Sequence, residues 1–486
     1  MQKISNLQPV LVWQYFEEIL NIPRASKQEE KIVSFLEDFA KKKKLFYKKD
    51  IKGNVQIVKP AFSGYENRKK IVLQSHVDMV CEKNENIEHD FTKDPIQAYI
   101  SEGWVRAKGT TLGADNGIGI AAQLAVLSDN SLKHGPLECL FTVDEESGLT
   151  GAMNIGEDMI GGKILINLDS EDEGELFIGC AGGIETIISF PYKTKKLNHE
   201  YTAFEFSVKG LLGGHSGDDI NKGRGNANKI LTRFLWNAHK RFKTGLYEFR
   251  GGNLKNAIPR EATSCFVIKN YKKNSLLEYI ETFRTMVSAE MKGNEPNLVF
   301  EFSEVALPRI IMTNKSIRKF LNALHACPNG VVEMSQTISG LVRTSSNLAS
   351  VKMVGDNNIE IVTSQRSSVG SLKQNVSDRI MSLFRLAGSR VVQTGSYPGW
   401  SPNTDSPILK IVKKNYTDLF GTQPQVKAIH AGLECGLFLE KFPYLDMISF
   451  GPTIKGAHSP DERLEISTVD KFWKLLLEVM KNIPEN

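Results

Sequence analysis

A short apolar run that ends in two polar side chains constrains the fold of this 486-residue chain more than any other feature. Residues 71–73 (Ile-Val-Leu) predict a buried strand, and His76 and Asp78 follow it. Residues two apart on a strand project from the same face. An imidazole and a carboxylate together at a strand end suit a metal ligand and the partner that orients it. Alone, such a pair is more often a polar pair of the core.

Two more predicted strands end in acidic residues. Residues 138–143 predict a strand that leads into the acidic tripeptide 144–146, and residues 164–168 predict one that leads into Asp169. Strands that alternate with helices predict a mainly parallel sheet of the α/β class, and ligands bind beyond the carboxyl ends of such strands. The sequence therefore places several potential metal ligands at one edge of one sheet. The further acids at 171–175 are expected to be solvated.

A glycine-rich turn and an acidic pair add three further carboxylates. Asp115 lies in the turn 109–117, before an apolar helix predicted over 118–127, and its two oxygens could bridge two ions. A helix N-cap is the other interpretation of Asp115. Adjacent side chains beyond a strand point different ways, so one of Glu145 and Glu146 could bind metal while the other faces the reacting water as general base. A solvated acidic turn is the alternative.

His458 completes a set of five potential nitrogen and oxygen ligands. It follows a buried strand predicted over 445–450, and the other four are His76, Asp115, Asp169 and one member of the Glu145-Glu146 pair. Five such ligands at one sheet edge are what a two-metal hydrolytic site requires. Histidine and carboxylate ligands suit zinc, with cobalt or manganese as substitutes. His430 and Glu434, four residues apart on a predicted helix, form a rival metal pair that ranks below His458.

The alternation of buried strands with helices stops after residue 183 and resumes near residue 399. Alternating residues at 204–208 predict an antiparallel strand, and a related order of strands and a helix recurs from about 330 to 392. We expect a catalytic domain formed by residues 1–183 and 399–486, with an α+β domain of residues 184–398 inserted between them. Two similar units in tandem would account for the recurrence.

Composition excludes several classes of function. The chain is 41% apolar and 24% charged, as in a soluble globular protein, and its net charge of +5 argues against a nucleic-acid partner. None of the six cysteines forms a CxxC pair, so they are expected to be reduced thiols. The apolar N-terminal segment reaches Glu17-Glu18 too soon for a signal peptide, and no stretch approaches the ~18 apolar residues of a membrane span. We expect a cytoplasmic protein without a membrane partner.

Seven segments, taken in order, carry a family resemblance. They are SHVDMV, TTLGADNGIGIA, VDEESGLTGA, INLDSED, GGHSG, NAIPREA and GAHSPDE. This ordered set resembles the aminoacylase/carboxypeptidase-type di-zinc metallopeptidases over nearly the whole chain. More narrowly, it is similar to the bacterial aminoacyl-histidine dipeptidase branch (peptidase D, or Xaa-His dipeptidases), which is related to the carnosinases.

The resemblance implies a role for each metal-site residue. One zinc would be held by His76, Asp115 and Asp169, and the other by Asp115, Glu146 and His458, with Asp115 as the bridge. Asp78 would orient His76. Glu145 would act as general base and later as proton donor to the leaving amine.

The resemblance also implies that the inserted domain is a lid that contacts the substrate. His215 would stabilise the oxyanion, Asn256 and Arg366 would contact the substrate, and Gly432 would line its pocket. An arginine can hold the free C-terminal carboxylate of a dipeptide with two hydrogen bonds.

The expected activity is zinc-dependent hydrolysis of small dipeptides, with Xaa-His dipeptides preferred and some breadth. A water molecule bridged by two zinc ions and activated by Glu145 would attack the peptide carbonyl. Deacylation of N-acyl amino acids and a broader di- or tripeptidase activity are alternatives, because only the lid pocket separates them. A non-catalytic binding protein of the same fold is the alternative from another class. The chain could be a monomer or a homodimer.

Overall fold

The computed structural model describes residues 3–198 and 200–486 and contains two compact units. The first consists of the chain up to Gly179, Pro402–Ala428 and Leu433–Asn486, and the second of Cys180–Ser401 and Ile429–Gly432. The predicted insertion at 184–398 falls inside the second unit. That unit also contains Ile429–Gly432. None of the helices in the described ranges is both long and apolar enough to cross a membrane.

The first unit is built on a mixed sheet of eight strands whose four central strands run parallel. In spatial order the strands are Phe46–Lys49, Val55–Lys59, Leu137–Thr142, Ile71–His76, Ile164–Asn167, Asp446–Ser449, Glu175–Cys180 and Gln425–Ile429. The outer pairings of Val55–Lys59 and of Glu175–Cys180 with the central strands are antiparallel. Every residue of Ile71–His76 and Leu137–Thr142 is buried, because both faces of the sheet are covered. The prediction of an α/β class is confirmed.

Eight α-helices and a small sheet complete the first unit within the part of the chain that the structure describes. The helices are Val10–Ile19, Glu30–Lys43, Ala114–Ser128, Glu145–Gly148, Thr150–Met153, Pro407–Phe420, Glu434–Lys441 and Ile466–Lys481. The small sheet consists of Ile454–Lys455, Arg463–Glu465, Trp104–Ala107 and Ala98–Ser101. Helix Ala114–Ser128 is buried along nearly its whole length, which agrees with its apolar sequence.

The second unit is dominated by one antiparallel sheet. Its strands, in spatial order, are Val299–Val305, Tyr201–Lys209, Ala262–Lys269, Gly245–Gly251, Val342–Val354, Asn358–Ser367, Gly182–Pro191 and Arg390–Tyr397, and Gly330–Met334 also pairs with Val342–Val354. Its helices are Ala227–Phe242, Lys273–Met291, Asn314–Ala326 and Gly370–Ala387. Two short ribbons pair Thr194–Lys196 with Ile310–Met312 and Gly214–His215 with Ala257–Ile258.

This sheet contains two halves of the same topology. Each half follows the order strand, helix, strand, strand, helix, strand, and each places its strands in the spatial order fourth, first, third, second. The halves meet where Arg250 and Gly251 pair with Lys352 and Val351. The prediction of two similar units is therefore right, but their tandem order is wrong. The first strand of the later half is Gly182–Pro191, which precedes the whole of the other half in the chain.

Aromatic side chains fill the core between this sheet and its helices. Phe206 of the sheet stacks on Phe234 of helix Ala227–Phe242, with ring centroids 4.0 Å apart. Both side chains are fully buried. Burial of large aromatic side chains is a dominant source of core stability.

We expect Phe234→Ala to lower the free energy of unfolding of the second unit by about 3–5 kcal/mol, because the truncation leaves a cavity in a closed core. Denaturant unfolding followed by fluorescence and circular dichroism measures this loss. Leu386→Ala, at a side chain that is 85% exposed in the same unit, is the control and should change stability by less than about 0.5 kcal/mol. Equal effects of the two substitutions would contradict the assigned core.

Candidate metal centre

The potential metal ligands meet at one edge of the central sheet of the first unit. His76 is the last residue of strand Ile71–His76, and Asp169 follows the neighbouring parallel strand Ile164–Asn167. On the other side, strand Leu137–Thr142 is also parallel and leads into the short helix Glu145–Gly148. Because the three strands are parallel and in register, their carboxyl ends bring these side chains together.

Two groups of donor atoms share the carboxylate of Asp115. In the first group, His76 Nε2 lies 3.1 Å from Asp115 Oδ1 and 3.2 Å from Asp169 Oδ1. In the second group, His458 Nε2 lies 3.2 Å from Asp115 Oδ2 and 3.0 Å from Glu146 Oε2. Each oxygen of Asp115 therefore faces a different histidine, which is the arrangement of a bridging carboxylate.

The geometry of both groups fits a metal ion. Two atoms bound at about 2.0–2.1 Å to one tetrahedral zinc lie about 3.3 Å apart, close to the observed separations between nitrogen and oxygen. Glu146 Oε1 is buried and has no hydrogen-bond partner in the part of the chain that the structure describes. A buried carboxylate oxygen left in this way is costly unless a cation or a donor meets it. The residues present are thus suited to hold two divalent ions such as zinc, cobalt or manganese.

The pKa shifts of the clustered side chains also indicate a metal site. Burial raises the pKa of Glu146 and of Asp169, and neighbouring carboxylates add to the rise. Burial opposes a charge on His76, but the charge of Asp169 and hydrogen bonds to carboxylates outweigh it and raise the pKa of His76 well above its usual value. Hydrogen bonds to Asp115 and Glu146 raise the pKa of His458 to about 11. The cluster therefore carries an excess of negative charge that divalent cations would neutralise.

Asp78 does not belong to either group but holds their parts in place. Its Oδ1 lies 3.3 Å from His76 Nδ1 and accepts the backbone N–H of Glu145 at 3.0 Å. Its Oδ2 accepts the backbone N–H of Glu146 at 3.1 Å and the hydroxyl of Ser26 at 2.7 Å. Burial works against its charge, but the bonds from His76 and these donors keep the pKa of Asp78 below its ordinary value. The carboxylate of Asp78 thus orients His76 and anchors the short helix Glu145–Gly148, called the acidic helix below.

Ser26 opens the Ser-Lys-Gln-Glu pattern at residues 26–29, which from the sequence predicts a helix cap. Residues 26–29 match a capping box, but helix Glu30–Lys43 begins after Glu29, which makes no side-chain cap bond. The hydroxyl of Ser26 is bonded to Asp78 instead. The cap prediction is wrong because a local sequence pattern competes here with a contact to a residue 52 positions away.

Glu145 is only partly buried, and its carboxylate lies within 4.8 Å of donor atoms of both His76 and Glu146. Burial raises the pKa of Glu145 well above its ordinary value. The division of roles between Glu145 and Glu146 stays a prediction. They lie on one helical turn rather than on an extended strand, and their long side chains converge on His76.

Several polar residues around the cluster were not identified from the sequence. The amide of Asn116 donates to Leu168 O at 3.0 Å and also to Asp169. Glu171 is partly buried rather than solvated, and burial together with the charge of Asp115 raises its pKa to about 8. Glu173 also differs from the prediction, because Tyr416 donates to it at 2.6 Å. Runs of acidic residues look solvated in a sequence because their tertiary partners lie far along the chain.

The rival pair of His430 and Glu434 is divided between the two units. The helix begins at Glu434, so His430 is not one turn away on the same helix. Glu434 is buried in the first unit, where its carboxylate accepts from Gln74 at 2.6 Å and from Thr142 at 2.8 Å, and burial raises its pKa to about 8. His430 belongs to the second unit.

Three of the predicted substrate residues cluster in the second unit. His215 Nε2 lies 3.3 Å from one terminal nitrogen of Arg366, and the other terminal nitrogen donates to Tyr397 at 3.1 Å. Arg366 Nε is buried and has no hydrogen-bond partner among the described residues. A Cβ added to Gly432 would lie 3.0 Å from the Tyr397 ring, so a larger residue would require the ring to shift by a few tenths of an ångström.

The side chain of Asn256 is exposed, and its backbone carbonyl accepts the N–H of Ser216 at 2.8 Å. His430 was placed with the rival pair, but its Nε2 lies 2.7 Å from the Ser345 hydroxyl. Tyr397 and Ser345 were not singled out from the sequence. A hydroxyl-bearing residue in a strand gives no sequence signal of this contact.

Comparisons with known proteins show the family to which this chain is similar. The model of peptidase family M20/M25/M40 matches residues 72–482. The chain is 44% identical over 484 residues to the cytosol non-specific dipeptidase of Escherichia coli (strain K12), with all of both chains covered. It superimposes on the crystal structure of aminoacylhistidine dipeptidase from Vibrio alginolyticus with a TM-score of 0.93 and 44% identity, covering 100% of this chain and 99% of that one. Human carnosine dipeptidase 1, at 12% identity and a TM-score of 0.51, shares the fold over 97% of this chain and 95% of its own.

We expect Asp78→Asn to weaken zinc binding about 10–100-fold, because an amide orients and polarises the imidazole of His76 less well than a carboxylate. Competition with a chromophoric chelator measures the dissociation constants. Asp38→Asn, at a side chain that is 71% exposed, is the control. Unchanged affinity in Asp78→Asn would contradict the orienting role.

Proposed function

The chain belongs to peptidase family M20/M25/M40, and we propose that it is a two-zinc dipeptidase of broad specificity that accepts Xaa-His dipeptides. The observation that carries the proposal is the Asp115 carboxylate, which gives one oxygen to each of two histidine-containing donor groups. The Escherichia coli relative is a non-specific dipeptidase and the Vibrio alginolyticus one an aminoacylhistidine dipeptidase, which supports this substrate class. A cytoplasmic location agrees with the name of the former.

The metal ligands follow from the two groups. His76, Asp115 and Asp169 would hold one ion, and Asp115, Glu146 and His458 would hold the other. Two zinc ions bound there would supply Lewis acidity toward the substrate carbonyl and toward a water molecule.

Glu145 is the proton carrier in this proposal. Its carboxylate lies beside both donor groups but is needed by neither. It accepts a proton from the attacking water and then donates it to the leaving amine. A carboxyl whose pKa is raised by burial can hold and release a proton closer to neutral pH, which such a two-way role requires. Asp78 keeps the Glu145 backbone in position throughout, because it accepts the N–H of that residue.

Substrate recognition is assigned to polar groups of the second unit. Arg366 binds the C-terminal carboxylate of the dipeptide, because its guanidinium is buried with an unused donor at Nε. His215 donates to the oxyanion that forms at the scissile carbonyl. Asn256 adds a further polar contact, and Gly432 keeps the pocket open beside Tyr397.

Glu145→Gln tests the catalytic assignment. We expect it to retain two zinc ions per chain while kcat falls by about 10²–10⁴, the usual contribution of a general acid–base group. Metal analysis and hydrolysis of a Xaa-His dipeptide give the two readouts. Glu157→Gln, an exposed residue of the same unit, serves as the control. Full activity of Glu145→Gln would contradict the catalytic assignment. Loss of zinc would instead indicate that Glu145 is a metal ligand.

Arg366→Ala tests the proposed carboxylate contact. We expect KM for dipeptides with a free C-terminus to rise about 10–100-fold, the value of a hydrogen bond to a charged group. C-terminally amidated dipeptides should bind poorly to the wild-type protein and be little affected by the substitution. N-acetyl amino acids, assayed beside Xaa-His and other dipeptides, separate a deacylase from a dipeptidase. Preferred hydrolysis of N-acetyl amino acids would overturn the proposed substrate class.

A further inference from the structure

The loop that carries Asp115 is held by a single distant carboxylate. Four consecutive backbone N–H groups, at residues 112–115, point to Glu462. Glu462 Oε2 accepts from Leu112 at 2.7 Å and from Gly113 at 2.9 Å. Its Oε1 accepts from Ala114 at 2.7 Å and from Asp115 at 3.3 Å. Each carboxylate oxygen thus serves two donors.

These contacts hold a segment that is not yet a regular helix, because Asp115 (φ −83°, ψ 112°) and Asn116 (φ −101°, ψ 33°) lie outside helical geometry. Helix Ala114–Ser128 begins after Gly113, which has a left-handed backbone (φ 69°) and no side chain to cap the helix. A larger residue could not stand there, since a Cβ on Gly113 would lie 2.5 Å from the Arg24 guanidinium. Backbone N–H groups that are buried in such an irregular segment need an acceptor. Glu462 provides it from a position almost 350 residues further along the chain.

Glu462 also fixes the position of the second histidine. It lies four residues after His458, and its own N–H donates to Ser459 O at 3.0 Å, so the intervening residues form a closed turn. His458 and Asp115 are members of the same donor group, 3.2 Å apart. The bonds between Glu462 and the loop therefore set the distance between two proposed ligands that are 343 positions apart in the chain.

Arg24 also binds the loop that carries Asp115. Its guanidinium donates to Gly113 O at 2.5 Å and to the carbonyls of Val77 at 3.0 Å and Asp78 at 2.8 Å. The peptide groups of Gly113 are thus bound at N–H by Glu462 and at C=O by Arg24. Both side chains are 2% exposed. A buried ionised side chain is costly unless its hydrogen bonds are made, and here every contact goes to a segment that carries a ligand.

We propose that Glu462 is a positioning residue that holds Asp115 and His458 in the arrangement in which they would bind the two metal ions. The inference rests on the proposed two-zinc function. If Glu462 only stabilised the fold, its loss would lower the melting temperature and leave metal geometry unchanged. A positioning role requires instead that the fully loaded site be altered.

Glu462→Gln separates these roles, because it keeps the size of the side chain but turns one acceptor oxygen into a donor that faces two N–H groups. We expect zinc affinity to fall about 10–100-fold, as for other groups that orient metal ligands. The absorption spectrum of the cobalt-substituted protein at saturating cobalt should change. At saturating zinc, kcat should fall with little change in KM. Asp461→Asn, the exposed neighbouring residue, is the matched control.

Unchanged zinc affinity and an unchanged cobalt spectrum in a less stable Glu462→Gln protein would overturn the proposal. Glu462→Asp keeps the charge but shortens the reach, and it provides the same test if Glu462→Gln does not fold. The wild-type protein distinguishes this failure from a failure of the proposed function. If the wild-type protein binds no zinc, the two-zinc function itself is wrong. If it binds two ions and Glu462→Gln matches it in affinity and spectrum, only the positioning role is wrong.

Discussion

The carboxylate of Asp115, held between two histidines, is the interaction on which the arrangement of the first unit depends. A carboxylate has two oxygens, and each faces its own histidine at 3.1–3.2 Å, about the separation of two ligands of one zinc ion. Around it the chain buries several acidic groups, and burial, together with the charge of Asp115, raises the pKa of Glu146, Asp169 and Glu171. Buried carboxylates in such close contact are stabilised by positive charge. Two divalent ions bound by the two donor groups would supply that charge.

The rest of the unit keeps these charges in fixed positions. Parallel strands deliver His76 and Asp169 to one edge of the sheet, since their carboxyl ends lie side by side. Asp78 then joins the first strand to the acidic helix by accepting the N–H groups of Glu145 and Glu146. These bonds are made by the backbone, so the side chain of Glu145 stays available for proton transfer. Asp78 thus links the position of a proposed metal ligand, His76, to that of the proposed proton carrier, Glu145.

Much of the fold was predictable because its signals are local. The run at residues 71–73 and the polar pair after it predicted a strand, and strand Ile71–His76 is where the structure places it. Ligand positions could be inferred because apolar runs mark strand ends, and ligands gather there. Long-range contacts gave no such signal. The bond from Ser26 to Asp78 and the four bonds to Glu462 depend on tertiary contacts, and the nested order of the second unit follows from strand pairing across a long stretch of chain.

The most direct test of the shared carboxylate is the number of zinc ions bound per chain, measured by mass spectrometry of the metal in wild-type protein and in Asp115→Ala. The account predicts two ions in the wild-type protein and a loss from both groups, to one ion or fewer, in the variant. Circular dichroism confirms that the variant is folded. Two ions still bound tightly by Asp115→Ala, or a single ion bound by the wild-type protein at saturating zinc, would contradict it.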